Sequence, residues 1–167
     1  MALDLSNQTL ATPNHIQHRE ALREAVATIL GQAKRKICLF SPRLDSYLFN
    51  TSKVQEALSR LAARHHRNQI LMIIEDSRQM TYHNERFVEI CRRFSSSIQV
   101  RHVGEEHRGN QEMFIIIDHD CVLNQPTVSE PEAILDCESN TRISEFQRKF
   151  EAMWGRSESF SLTTPGL

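Results

Sequence analysis

The sequence predicts an α/β fold in which a mixed central sheet is flanked by helices, a three-layer sandwich. Segments with the periodicity of amphipathic helices alternate with short apolar runs that are typical of strands. One of these runs, residues 70–74, is apolar throughout, which indicates a central strand covered on both faces. Beyond residue 111, three strand-like segments follow one another without an intervening helix. These observations together predict a single layered α/β domain.

Four helices are expected, each with apolar residues on one face. Thr12 and Pro13 predict the start of the first helix, because an N-cap residue is followed by proline at the first helical position. Ser52 is expected to cap the second helix, whose basic end is favourably placed against the helix dipole. The four expected helices cover about residues 13–30, 52–67, 83–95 and 140–154.

Six strands are expected, and the fourth is the most informative. It is a buried apolar strand that ends in a carboxylate, Asp118. The first strand is expected to end at residue 40, before Ser41 and Pro42, because proline cannot continue a hydrogen-bonded ladder. The polar loop of residues 104–110 is expected to be flexible, and its composition invites the hypothesis that it becomes ordered on binding. The strands are expected at residues 35–40, 69–75, 97–103, 112–118, 120–123 and 132–137.

The composition favours one soluble globular domain. Of the 167 residues, 40% are hydrophobic and 25% are charged, which is ordinary for a globular protein. We expect a flexible N-terminal arm over residues 1–12, the domain over 13–158 and a C-terminal tail over 159–167. The formal net charge of -1 argues against a global attraction to nucleic acid or to anionic membranes. No apolar run approaches the roughly 20 residues that span a bilayer, and no signal peptide is visible, so a cytoplasmic location is expected.

The four cysteines are far apart in the sequence and form no Cys-x-x-Cys pair. We expect them to be buried, reduced thiols of a cytosolic protein. Because a structural zinc site would need an unusual set of ligands, neither a metal nor a cofactor is expected. These cysteines are Cys38, Cys91, Cys121 and Cys137.

In their order along the chain, several segments resemble one half of the phospholipase D superfamily fold. The resemblance covers roughly residues 15–158, and it depends on the joint order of the segments. They are the strand 37–40 running into Ser41 and Pro42, the helix and basic turn 57–67 leading into strand 70–75, the strand ending in Asp118, the late strand 132–137, and the helix 145–154 followed by Ser157.

The catalytic signature of that superfamily is His-x-Lys-x-x-x-x-Asp, supplied twice by two halves of a chain or by two subunits. The resemblance implies a histidine nucleophile, a lysine that compensates the phosphate charge and an aspartate that orients its histidine. Counting back from Asp118 places Gln111 at the histidine position and Met113 at the lysine position. The superfamily's Gly-Ser-x-Asn segment is replaced by residues 123–126. We therefore expect a non-catalytic domain that binds a ligand or partner and regulates another activity.

Arg43 and Asp45 are candidate ligand-binding residues. They lie in the loop after the first strand, at the sheet edge where the clefts of α/β proteins lie. Glu75 and Asp76, at the end of the second strand, could line the same site. The alternative is a turn stabilised by a local pair between Arg43 and Asp45.

Asp118 and His107 are the catalytic candidates, and Gln111, Asp118 and Arg108 complete the set of ligand-binding candidates. His107 and Arg108 lie in the loop before the strand, so they could fold over a cleft and replace the lost signature. Arginine is suited to this role because its guanidinium presents a bidentate fork to phosphate. The alternatives are that Asp118 stabilises a turn and that His107 is solvated.

Two further functions stay open. The first is a phosphodiesterase or phosphatidyl-transfer enzyme with a site rebuilt from His107, Arg108 and Asp118. The second is a nucleic-acid-binding module, although the near-neutral charge and the small number of lysines make nucleic acid an unlikely partner.

The resemblance also implies the partners of this domain. Single-half members of the superfamily pair across a two-fold axis, which implies a homodimer. A bacterial, accessory role beside a larger catalytic partner is implied as well. The ligand is expected to be an unknown protein or a small molecule.

Overall fold

An eight-stranded mixed sheet forms the centre of the structure, a computed structural model that describes residues 14–160. The strands are β1 (Asn14–Ile16), β2 (Lys36–Ser41), β3 (Gln69–Ile74), β4 (Ile98–His102), β5 (Met113–Ile117), β6 (Cys121–Gln125), β7 (Ala133–Asp136) and β8 (Glu158–Phe160). Their order in the sheet is β1-β7-β6-β5-β2-β3-β4-β8. The predicted α/β fold with a mixed sheet is confirmed.

Six α-helices and one 3-10 helix connect the strands within the described part of the chain. The α-helices are α1 (Arg19–Gln32), α2 (Ser46–Phe49), α3 (Ser52–Arg64), α4 (Ser77–His83), α5 (Glu85–Arg93) and α6 (Asn140–Gly155), and the 3-10 helix is Glu105–His107. In the described residues, no helix is both long enough and apolar enough to cross a membrane.

Strand directions give the sheet two chemically different edges. Strands β2, β3 and β4 are parallel, so their carboxyl ends meet at one edge, which we call the carboxyl edge. Strand β5 runs antiparallel to β2, with Phe114 opposite Phe40 and Ile117 opposite Ile37. Strand β5 therefore starts at the carboxyl edge and ends at the opposite edge, which we call the amino edge.

Both faces of the sheet are covered, which produces the three layers. Alternate residues of a strand point to opposite faces, and the core residues divide accordingly. Leu39, Met72 and Ile115 belong to the core under α1, α3 and α5. The residues next to them in each strand, such as Phe40 and Phe114, belong to a second core under α6. Burial on both faces explains why the central strands lack polar alternation.

The N-terminal prediction was wrong in its described part. Residues 14–16 form β1, which pairs with β7 instead of continuing a helix, and α1 begins only at Arg19. Ile16 is buried by this pairing, opposite Ala133. A strand of three residues is too short to show a period of two, so its type is set by tertiary pairing. Thr12 and Pro13 lie outside the described residues.

Three further elements were not predicted. The helix expected at residues 83–95 is present as α5, but the short helix α4 before it was not predicted. Asn84 separates the two helices, and its buried side chain donates to the Leu44 carbonyl at 2.9 Å. The short helix α2 is capped by the Asp45 side chain, which accepts from the Tyr47 N–H. Strand β8 pairs with β4 and extends across the boundary predicted at residue 158.

A disulfide joins Cys121 and Cys137, so the expectation of four reduced thiols was wrong for these two. Strands β6 and β7 are antiparallel with Val122 opposite Asp136. Cys121, just before Val122, therefore lies opposite Cys137, just after Asp136, with a Cα–Cα distance of 4.1 Å. The register of a hairpin with a long loop cannot be read from sequence. Cys38 and Cys91 are free and buried. The disulfide removes the cysteine argument for a cytosolic location.

The tight turn between β5 and β6 has an unusual backbone. Asp118 and His119 both have positive φ, at 52° and 60°, and the Asp120 N–H donates to the Ile117 carbonyl at 2.9 Å. These values are typical of a type I′ turn, the favoured connection in a tight hairpin. Aspartate tolerates the left-handed region better than most residues.

The carboxylate of Asp118 ties this turn to the segment between α1 and β2. It accepts hydrogen bonds from the backbone N–H groups of Lys34 at 2.7 Å, Arg35 at 2.8 Å and Lys36 at 2.9 Å. In return, the Asp118 N–H donates to the Lys36 carbonyl at 3.0 Å. Asp118 therefore ties the β5–β6 turn to the amino edge of the sheet, a long-range contact that the sequence did not predict.

We predict that Asp118→Ala lowers the free energy of unfolding by about 2–3 kcal/mol, because three charge-assisted hydrogen bonds are lost and alanine disfavours positive φ. Asp118→Asn should cost less, since it keeps an acceptor oxygen and tolerates the turn. Asp120→Ala, in the same turn, is the matched control and should change stability by less than about 0.5 kcal/mol. Urea denaturation measures all three, and equal stability of Asp118→Ala and wild type would contradict this assignment.

We predict that Cys121→Ser/Cys137→Ser lowers the free energy of unfolding by about 3 kcal/mol, the value expected for closing a loop of this length. Dithiothreitol should destabilise the wild type by a similar amount and leave the double variant unchanged. Alkylation of the denatured, unreduced protein should label two thiols. Labelling of all four would show that the disulfide does not form.

Candidate functional site

A cavity of about 430 Å³ lies at the carboxyl edge of the sheet. It is bounded by the end of β2 and the loop after it, the end of α4, the start of β5, and the end of β6 with its following loop. We call it the carboxyl-edge cavity. The residues that matter for its chemistry are Arg19, Arg43, Asp45, His83, Met113 and Gln125.

The two signature positions of β5 differ in their relation to this cavity. Met113 is the first residue of β5, pairs with Gln125, is 1% exposed and lines the cavity. Gln111 precedes the strand, is exposed, does not line the cavity, and has a long contact of 3.5 Å from Nε2 to the Gly109 carbonyl. Where the resemblance places a lysine beside the substrate, this chain therefore presents an uncharged thioether.

The structure brings Arg43 and Asp45 to the same cavity, but it does not pair them with each other. The Asp45 carboxylate accepts from the Tyr47 N–H at 3.0 Å and forms an ion pair with Arg19 at 3.3 Å. Within residues 14–160, the Arg43 guanidinium forms neither an ion pair nor a side-chain hydrogen bond. The expected local Arg43–Asp45 pair is thus replaced by a pair between Asp45 and a residue of α1.

Arg19 is held in place by a second contact. Its guanidinium lies 4.5 Å from the centre of the Tyr47 ring, and Arg23, one helical turn later, lies 4.7 Å from the same ring. Cation–π contacts of this kind stabilise by about 0.5–1 kcal/mol at exposed sites. Arg19 is therefore a fixed, charge-balanced wall of the cavity, which leaves Arg43 as the arginine with an uncommitted side chain.

His107 and Arg108 lie beyond the carboxyl end of β4, and neither lines the cavity. The loop that carries them is anchored by Glu75, whose carboxylate accepts from the Gly109 N–H at 3.2 Å. Asp118 follows the other end of β5, about 17 Å from Met113 for five residues of extended strand. The structure therefore does not bring together the three residues of the rebuilt site considered from the sequence.

One residue that sequence reasoning missed is His83. It is exposed at the end of α4 and lines the carboxyl-edge cavity. Its position follows from the short helix α4 and from the fixed residue Asn84, which no local pattern indicated. It lies 30 residues before Met113, and no spacing motif links the two.

The remaining thiols offer no nucleophile. Burial raises the pKa of Cys38 to about 11 and that of Cys91 to about 12. Both thiols are therefore protonated near neutral pH, and the thiolate is the reactive form. No cluster of three or more potential metal-ligating side chains occurs in the described part of the chain.

A larger hollow of about 710 Å³ lies between α1 and the start of α3. Its walls carry Arg23, Lys53 and Arg86 together with Glu20 and Glu24. Interspersed charges of both signs are typical of solvated helix surfaces. Because none of the signature positions reaches this hollow, the carboxyl-edge cavity is the better candidate.

Comparison with known structures agrees with this geometry. Nuc from Salmonella typhimurium, a phospholipase D family member, superposes with a TM-score of 0.61 at 15% identity, covering 89% of this chain and 99% of that chain. NucT from Helicobacter pylori gives a TM-score of 0.64 at 11% identity, with the same coverage of 89% and 99%. The likeness at such low identity shows the fold alone.

A third similar structure is that of a DNA-binding protein. TrmBL2, an archaeal chromatin protein with a novel mode of DNA binding, superposes with a TM-score of 0.63 at 11% identity. The match covers 93% of this chain but only 57% of the TrmBL2 chain.

Sequence comparison identifies the family. No curated protein sequence matches the chain. The family model described as "Domain of unknown function (DUF7931)" matches residues 18–162, nearly the whole of the chain. The chain therefore belongs to the DUF7931 family, and it has a phospholipase D-like α/β fold.

Proposed function

We propose that this protein is a phospholipase D-like domain that binds a ligand or partner in the carboxyl-edge cavity and does not catalyse phosphodiester chemistry. The observation that carries the proposal is Met113, an uncharged side chain that lines the cavity where the resemblance places the lysine. Gln111 stands at the position of the nucleophilic histidine. Its amide cannot do that chemistry, because an amide neither attacks phosphorus nor delivers a proton.

The expected loss of turnover from these two replacements supports this proposal. Removal of a single transition-state donor costs about 10²–10³ in turnover. Here both the covalent nucleophile and the charge-compensating cation are absent from β5. The fold does not depend on either group, because the buried strand itself maintains its pairing with β2 and β6. Loss of chemistry with retention of a binding cavity is therefore physically consistent.

His83 favours one alternative, an enzyme with a rebuilt site. It lines the same cavity as Arg43, so an imidazole and a guanidinium face one space. In such an enzyme His83 would be the nucleophile and Arg43 would compensate the phosphate charge. A second imidazole for the leaving group would then have to come from another copy of the chain, which links this alternative to the homodimer expected from the resemblance.

Hydrolysis of bis(4-nitrophenyl) phosphate distinguishes the two functions. We expect purified wild-type protein to give no more turnover than its His83→Ala variant, with both at the buffer rate. Ser129→Ala, which also changes a polar residue of the cavity wall, is the matched control. Turnover that is present in wild type and Ser129→Ala but absent in His83→Ala would contradict the proposal and establish a rebuilt site.

A further inference from the structure

Several polar groups of the carboxyl-edge cavity already have a hydrogen-bond or ion-pair partner within the described part of the protein, and one charged group does not. Asp45 is the only acidic residue in its lining, and Arg19 and the Tyr47 N–H already occupy its carboxylate. The Ser41 hydroxyl donates to the Arg43 carbonyl at 2.6 Å, and Gln125 Nε2 donates to the Glu130 carbonyl at 2.6 Å. Arg43 is thus the charged group that the protein leaves available to a ligand.

The charge of the lining also selects the ligand. Arg19 and Arg43 contribute two positive charges and Asp45 contributes one negative charge, so the lining carries a formal net charge of +1 with histidine neutral. One uncompensated guanidinium fits a ligand with one anionic head group. The planar fork of arginine matches the oxygens of a carboxylate or phosphate bidentately.

The backbone that carries Arg43 is fixed although its side chain is free. Every carbonyl from residue 42 to residue 45 accepts a hydrogen bond. The Pro42 carbonyl accepts from Glu75 N and Asp76 N, the Arg43 carbonyl from the Ser41 hydroxyl, the Leu44 carbonyl from the Asn84 amide, and the Asp45 carbonyl from Leu48 N and Phe49 N. A fixed backbone lowers the ordering cost of binding, which is the mark of a preorganised recognition residue.

Four of the residues that line the cavity are apolar. They are Met113, Leu48, Phe49 and Val128, and the first three belong to the core. Apolar groups beside one available cation are complementary to an amphipathic molecule, with its head group on the cation and its body on the apolar side chains. A lysine at position 113 would have added a second charge to this part of the lining.

We propose that the carboxyl-edge cavity binds a small molecule with one anionic head group, a carboxylate or a phosphate, and an apolar body, and that Arg43 is the residue that recognises the head group. This inference rests on the proposed binding function and adds the chemical class of the ligand. In this proposal the positive charge that contacts the ligand comes from Arg43, in the loop after β2, because Met113 at the start of β5 is uncharged.

Isothermal titration with benzoate, phenyl phosphate and benzamide tests this inference. The two anions distinguish the carboxylate from the phosphate head group, and benzamide is a neutral molecule of the same shape as benzoate. We expect at least one anion to bind at least tenfold more tightly than benzamide. Arg43→Gln should weaken that anion at least tenfold, and Arg43→Lys should weaken it less, because lysine keeps the charge but loses the fork.

Arg64→Gln is the matched control, because Arg64 is an exposed arginine at the end of α3 that does not line the cavity. Its affinity should equal that of the wild type. Circular dichroism should show that all variants are folded, as expected for substitutions of exposed side chains. Unchanged affinity in Arg43→Gln, equal binding of benzamide, or no binding of either anion would overturn the inference. None of these results bears on hydrolysis, which decides the proposed function separately.

Discussion

The structure depends on the antiparallel insertion of β5 beside β2. Strand β2 is parallel to β3 on one side and antiparallel to β5 on the other. The Asp118 carboxylate, in the turn after β5, accepts hydrogen bonds from three successive backbone N–H groups just before and at the start of β2. These bonds fix where β2 begins and where β5 ends. Strand β5 is buried throughout and β2 is buried from Ile37 onward, and their register places the start of β5 at the carboxyl edge, where it forms part of the cavity wall.

This constraint explains how the signature can be incomplete without loss of the fold. The aspartate position lies at the amino edge and is engaged by backbone groups, while the lysine position lies at the carboxyl edge inside the cavity. Met113 and Asp118 therefore lie at opposite ends of β5, at opposite edges of the sheet. A retained Asp118 is therefore evidence for a retained sheet, and it says nothing about phosphoryl transfer. Within the described cavity lining, the arginine without a side-chain partner is Arg43, on a loop whose carbonyls from residue 42 to residue 45 are all hydrogen-bonded.

The sequence predicted the elements that are continuously apolar. It did not predict the elements whose position depends on contacts between residues far apart in the chain. The apolar runs of β3 and β5 predicted central strands and hence the layered sheet. Strands β1 and β8 have three residues each, too few for a period to appear. The Cys121–Cys137 disulfide depends on hairpin register, and the partner of Asp45 is an arginine 26 residues away. His83 reaches the cavity only through tertiary placement of α4, so no local pattern could have identified it.

Hydrogen exchange of the Lys34, Arg35 and Lys36 amides, followed by NMR, tests whether the Asp118 carboxylate anchors the amino edge of the sheet. Two of these residues lie outside the ladder of β2, in an exposed connection. We expect all three amides to be protected, because the Asp118 carboxylate accepts from each of them. We also expect protection of Lys34 and Arg35 to disappear in Asp118→Ala. Rapid exchange of these two amides in the wild type would show that Asp118 does not anchor the sheet, and its assignment as a structural residue would be wrong.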